Sequence, residues 1–371
     1  MATVKPLRLM YLDALRGVAI LVMIPLHLFL FGGGLVEMFG GGGGGGGLST
    51  IALPPPVDLK NPLSTGIILF FFVTGYSLVE SMFKREGKQS ILQMEKHIVT
   101  RYGIYVLIGV AAELLLRCYN RGTIDLVVEL QKIFGLSFLS VSQPIIGLAI
   151  AAIIAFPVMR YISWKKLLAL SLVLGAAEGL LIYTVALPNE LFFRLLFTNS
   201  FAVMKGVPMI LFGGAVGKAL HEGKRIGKKT FGAALAVVLA YAVAPFFLGT
   251  GGLHLLLVLW SYPYAMTFVA ALGIVALWAF IELDGRGTNL SAFTVLGRSS
   301  FAVYYGHFAI LFVVMGLLSY LGVTAALPIV LAEMVIATIA IWVIIYFVSK
   351  RMWGDPAMWY ARAGGASLRG H

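Results

Sequence analysis

Apolar windows of roughly 20 residues, the length at which an α-helix crosses the hydrocarbon core of a bilayer, recur from one end of the chain to the other. A soluble helix needs only one apolar stripe. Runs this long and this frequent therefore predict an all-α polytopic membrane protein. Composition agrees: the 371 residues are 60% hydrophobic and 12% charged, with a mean hydropathy of +0.95, whereas soluble domains carry about twice that charge fraction. Length alone would suggest two or three soluble domains, but the apolar runs override it. The first run is long, contains charges and lacks a small-residue cleavage site, so it reads as a span and not as a cleaved signal peptide.

Ten spans are expected, at about 10–32, 63–83, 97–117, 138–159, 167–187, 200–220, 230–249, 262–283, 293–318 and 325–349. With both termini cytoplasmic, the inner segments hold most of the 28 Lys and Arg, including "KREGK" (84–88), "SWKK" (163–166), "GKRIGKK" (223–229) and "KRMW" (350–353). The outer segments hold only Lys60, Arg117, Arg121, Lys132 and Arg194, and the two left over, Arg16 and Lys205, fall well inside spans. Alternate loops thus obey the positive-inside rule. It accounts for the net charge of +12 without a nucleic-acid partner, and none is expected. The expected location is a multi-pass integral membrane protein, in the plasma membrane if the cell is prokaryotic.

The chain reads as one transmembrane domain, 1–371, with a cytoplasmic tail from about 350. Its first outer loop, about 33–62, contains eight consecutive glycines (Gly40–Gly47) and then Pro54–Pro56. Oligoglycine has no side chain to bury, so a mobile linker is expected. "TIDLVVELQKIFGLSF" (123–138) spaces its apolar residues as a helix lying on the outer surface would. "GTGGLHLLLVLWSY" (249–262) is short for a span and suggests a re-entrant segment. Cys118 is the single cysteine, which excludes an internal disulfide framework and a cysteine-based metal site. Acids and histidines never fall at ligand spacing within one helix, so no metal is expected.

The first span, "YLDALRGVAILVMIPLHLFLF" (11–31), keeps Asp13, Arg16 and His27 in a greasy setting. Asp13 and Arg16, three apart, can pair on one helical face. Arg16 and His27 are eleven apart, close to three whole turns, so they point nearly the same way about 16 Å apart along the axis. One face of this helix can line a path with a cation at its inner end and an imidazole further out. Pro25 predicts a kink beside His27. A snorkelling Arg16 with Asp13 as its counter-ion is the structural reading of the first two; His27 is harder to place without a cavity.

His307, in "LGRSSFAVYYGHFAIL" (296–311), is the second histidine within a span, preceded by Tyr304 and Tyr305, with Arg298 at the cytoplasmic start of that segment. A core histidine bonded to a tyrosine or carbonyl is the alternative there. Glu80, Glu113, Glu178, Lys205 and Glu333 are further intramembrane charges. Glu178 has small neighbours that permit close helix packing. Lys205 can pair with an acid or meet an anionic substrate.

"LDALRGVAILVMIPLH" (12–27) resembles the first-helix signature of the transmembrane acyltransferase superfamily, which includes the acyltransferase-3 and heparan-α-glucosaminide N-acetyltransferase-like families. Arg16 and His27 have the Arg, ten residues, His spacing of the acyltransferase-3 branch. "FFFVTGYSL" (70–78) resembles the second-helix segment, with Thr74 where serine is usual, and "LGRSSFAVYYGHFAIL" resembles the late-helix segment that ends in histidine. The paired arginines that often enter the third helix are replaced here by "KHIVTR", with His97 and Arg101 on one face. The glycines after His27 and the "SYPY" segment lean toward the heparan-type branch.

The resemblance implies acyl transfer from a cytoplasmic donor, acetyl-CoA or another acyl-CoA, to an outer acceptor: a glycan, or a small or lipid-linked sugar. Arg16, Arg101 and Arg298 would hold the donor's phosphates, which guanidinium forks match. His27 and His307 would be the catalytic histidines. His27 would take a proton from the attacking hydroxyl or amine, or carry the acyl group itself. Asp13 would orient Arg16; His307 with Tyr304 would position the acceptor or stabilise the oxyanion, and Lys205 would meet an anionic group. Membrane lipids are the remaining partners. A proton-coupled transporter or flippase without acyl chemistry is the competing class, with the same charges forming a path. Pro144, Pro208 and Pro328 would be its candidate helix breaks, though no inverted repeat is evident.

Overall fold

The computed structural model describes residues 10–21, 60–121, 125–131, 143–184, 203–247, 264–300, 303–304 and most of 339–351. Regular structure among these residues is helical. In chain order the helices are α1 (10–21), α2 (Lys60–Arg85), α3 (Ile91–Arg121), α4 (Leu126–Gln131), α5 (Gln143–Tyr161), α6 (Trp164–Thr184), α7 (Val203–His221), α8 (Lys228–Phe247), α9 (Tyr264–Gly285) and α10 (Ser291–Arg298), with further helical residues in 339–351. The helix at α2 takes in the last residues assigned to the first outer loop. Pro144–Tyr161 and Met266–Gly285 are long and apolar enough to cross a membrane. The glycine run, Pro25 with its expected kink and the segment 249–262 lie outside the described residues.

Local chemistry sets the helix ends. Ser90 and Gln93 form a reciprocal capping box at the start of α3: the Gln93 amide N–H donates to Ser90 Oγ (3.3 Å), and the Ser90 N–H donates to Gln93 Oε1 (2.9 Å). Asp125 Oδ1 accepts from the amides of Val127 and Val128 and starts α4 within the expected surface segment. Gly87, Gly223 and Gly287 follow α2, α7 and α9 with φ of 74°, 77° and 72°, the left-handed region that favours glycine. Pro144 stands in the first turn of α5, where it breaks nothing. Pro208 lies inside α7, and the helix continues through it.

The fold divides into two compact units. One contains Met1–Gly66, Ala234–Trp260 and Ile274–His371; the other contains Ile67–Ala233 and Ser261–Gly273. In the second, α7 packs against α6 and α5, and α3 against α5. Glycines let α2 and α7 meet backbone to backbone: a Cβ at Gly75 would strike the Ile210 carbonyl, and one at Gly213 the Phe72 carbonyl. Gly206 leaves room for the Phe71 ring, and Gly217 lies against Tyr76 and Val79. Such contacts suit helices in lipid, where close van der Waals fit replaces the hydrophobic drive.

Two polar locks hold this unit. Ser171 Oγ of α6 donates to the Pro208 carbonyl at 2.7 Å, buried between α6 and α7. Lys218 Nζ of α7 donates to the carbonyls of Ile162 (2.8 Å) and Arg160 (3.3 Å), a cation at the C-terminal end of α5 where the helix dipole favours it. Meanwhile large apolar side chains point outward: Leu107 is 70% exposed, Leu172 62% and Val173 64%. These faces are suited to acyl chains, not to water.

Candidate active site

The site is built on α1. Asp13 is 1% exposed, and Arg16, one turn on, places Nη1 2.6 Å from its Oδ1, with 24% of the arginine side chain exposed. The spacing of three made this pair legible in sequence. A short charge-assisted contact to a buried carboxylate fixes the guanidinium far more firmly than a surface pair would. Around it Leu12, Ala14, Leu15, Ala19 and Ile20 are buried.

Helix α10 lies against this segment. A Cβ at Gly297 would strike the Asp13 carbonyl oxygen, and a Cβ at Gly17 would strike the Phe293 carbonyl oxygen. The first and last of the sequence motifs are therefore joined at two glycines. Thr294, Val295 and Leu296 are fully buried, Phe293 meets Phe280 edge to face at 5.5 Å, and Tyr304 is buried nearby in sequence. The sequence places Arg298 at the cytoplasmic start of the segment that carries His307. In the structure α10 ends at Arg298, with Ser299 at φ −96° and ψ 17° forming a turn before helical residues resume at Ser300, so the guanidinium is carried by the C-terminus of α10. The apolar pattern runs through this break, which is why it was not visible.

Arg101 belongs to the other unit, exposed on α3, where its Nε donates to Tyr105 Oη at 3.1 Å and its guanidinium lies 5.7 Å from that ring. The expected face shared by His97 and Arg101 is present, but His97 hydrogen-bonds Arg85, with Nη2 2.9 Å from Nε2. Lys205 is in α7, with its side chain outside the described residues. His27 and His307 lie outside them as well. Glu80 is near Lys84 at 3.8 Å, and Glu178 is 3% exposed in α6. Sequence reading missed Lys218, whose only hint was a cation within an apolar helix. Among the described residues no group of acids, histidines and cysteine is arranged to hold a metal.

The "FFFVTGYSL" segment lies in α2 with Phe71, Phe72, Val73 and Tyr76 buried, and its Gly75 makes the contact with α7. All three motifs thus contribute a glycine to a close helix crossing.

No curated protein matches the chain. The sequence profile of the acyltransferase-3 family, described as an acyltransferase domain, matches residues 9–347, nearly the whole chain and all three motifs. The match covers the buried Asp13–Arg16 pair and the α10 helix against it, and the chain belongs to the acyltransferase-3 family of membrane acyltransferases.

Proposed function

We propose that this membrane acyltransferase moves an acyl group, acetyl in the simplest case, from cytoplasmic acyl-CoA to a hydroxyl or amine of an outer acceptor, a sugar or sugar-bearing lipid. The observation that carries the reading is the Asp13–Arg16 pair at 2.6 Å, a cation anchored in an apolar helix and kept partly exposed. An anchored guanidinium is suited to a phosphate-bearing donor, because its fork is already oriented. Arg298 at the end of α10 supplies a second cation in the same unit. CoA's pantetheine arm is long enough to carry a thioester from this end of α1 toward His27.

In this reading His27 accepts the proton of the acceptor hydroxyl or amine as it attacks the thioester carbonyl; the thiolate of CoA leaves and takes up a proton. An acyl-imidazole route, with His27 itself acylated, uses the same placement. His307 and Tyr304 position the acceptor or stabilise the oxyanion. Ten spans with both termini in the cytoplasm put donor and acceptor on opposite sides. A proton-coupled transporter or flippase would draw on the buried Glu178 instead, but it would leave the thioester intact.

Calorimetry of acetyl-CoA and CoA with detergent-purified protein tests the donor site. Saturable binding that Arg16→Ala weakens is the expected result. Absence of binding by folded protein would remove the CoA-dependent reading. Release of CoA thiol in the presence of acceptor then separates an acyltransferase from a transporter.

A further inference from the structure

The contact between α1 and α10 is made of backbone on both sides. A Cβ at Gly17 would lie 2.8 Å from the Phe293 carbonyl carbon and 3.1 Å from its Cα. A Cβ at Gly297 would lie 2.6 Å from the Asp13 carbonyl carbon and 3.0 Å from the Gly17 nitrogen. No rotamer change relieves a clash with main chain, so an alanine at either position must push the helices apart.

Each of these glycines is peptide-bonded to one of the site's arginines, Arg16 to Gly17 and Gly297 to Arg298. Asp13 serves both elements at once. Its carboxylate holds Arg16 at 2.6 Å, and its carbonyl is the atom over which Gly297 passes. The spacing of the two arginine-bearing segments is therefore set by the glycine contact and not by flexible side chains.

Resting on the donor reading above, we infer that Gly17 and Gly297 are positioning residues that hold Arg16 and Arg298 as one clamp for a ligand bearing more than one phosphate group. Two arginines carried on segments at a fixed backbone spacing favour a polyphosphate over a single anion, because less ordering of the protein is needed to bind the second phosphate. Removing the contact leaves both arginines present but loses their relative placement.

The test uses full-length protein in detergent, CoA as the probe, calorimetry for affinity and a separate thermal melt for stability. Gly17→Ala and Gly297→Ala are compared with Gly213→Ala, whose Cβ would meet the Phe72 carbonyl in the other unit. The two site variants are expected to weaken CoA binding by about tenfold or more, the scale at which small misplacements act. Gly213→Ala is expected to lower the melting temperature and keep wild-type affinity in the folded fraction. Site variants that bind CoA as wild type does, or an equal loss in all three, overturn the inference. Where the glycine variants fail to fold, Arg16→Lys, Arg298→Lys and their combination are read instead. One clamp predicts a double loss smaller than the product of the single losses; a simple product overturns it. Wild-type protein that binds no CoA defeats the donor reading and the clamp together, whereas wild-type binding with unaffected glycine variants defeats the clamp alone.

Discussion

Asp13 is the residue on which most of the site's order depends. It is buried, it anchors Arg16, and its backbone lies under α10. Asp13→Asn keeps the volume and removes the charge. The expected outcome is weaker CoA binding, in the same direction as Arg16→Ala, together with a lower melting temperature. Removing one partner of a buried pair costs about 3–5 kcal/mol when the other stays charged; the partial exposure of Arg16 lowers that figure. Lys218 gives the contrasting case. Lys218→Met keeps the stem's packing and deprives the carbonyls of Arg160 and Ile162 of a donor. A loss of roughly 1–3 kcal/mol is expected, read as a lower melting temperature, with CoA affinity in the folded fraction unchanged.

At the scale of elements, the α2–α7 and α6–α7 contacts hold the second unit together. Ser171→Ala removes the hydroxyl that reaches the Pro208 carbonyl and is expected to cost about 1 kcal/mol. Gly75→Leu is expected to abolish the well-folded state, because the added side chain meets the Ile210 backbone. Monodispersity on size-exclusion chromatography checks the second, and a melt checks the first. Survival of Gly75→Leu with a wild-type melt would mean that α2 and α7 are not in backbone contact.

For the whole molecule, the outward apolar faces make the membrane prediction. Leu172→Asp on α6 exposes a charge where acyl chains are expected and is predicted to reduce membrane insertion or yield, since a central acid costs about 2.5–3.5 kcal/mol on insertion scales. The same substitution on a water-facing surface would be neutral. Reporter fusions at the C-terminus and in the 224–229 loop should both report cytoplasm; opposite signals would overturn the proposed topology.

Hydropathy, spacing and motif were enough to establish a helical membrane acyltransferase of this family, and the three-residue interval was enough to foresee the Asp13–Arg16 pair. These are one-dimensional properties: an apolar run has its length, and residues three apart on a helix are neighbours whatever surrounds them. The turn at Ser299 was not marked in the apolar pattern, and the Arg85–His97 bond, the Lys218 cap and the seating of Gly17 on Phe293 depended on which segments meet. A glycine in an apolar run carries no mark of what lies over it, and a lysine no mark of which carbonyls it reaches. Only the tertiary structure decided the last three, because they are contacts between residues from 12 to about 280 positions apart, and nothing in the local pattern encodes the partner.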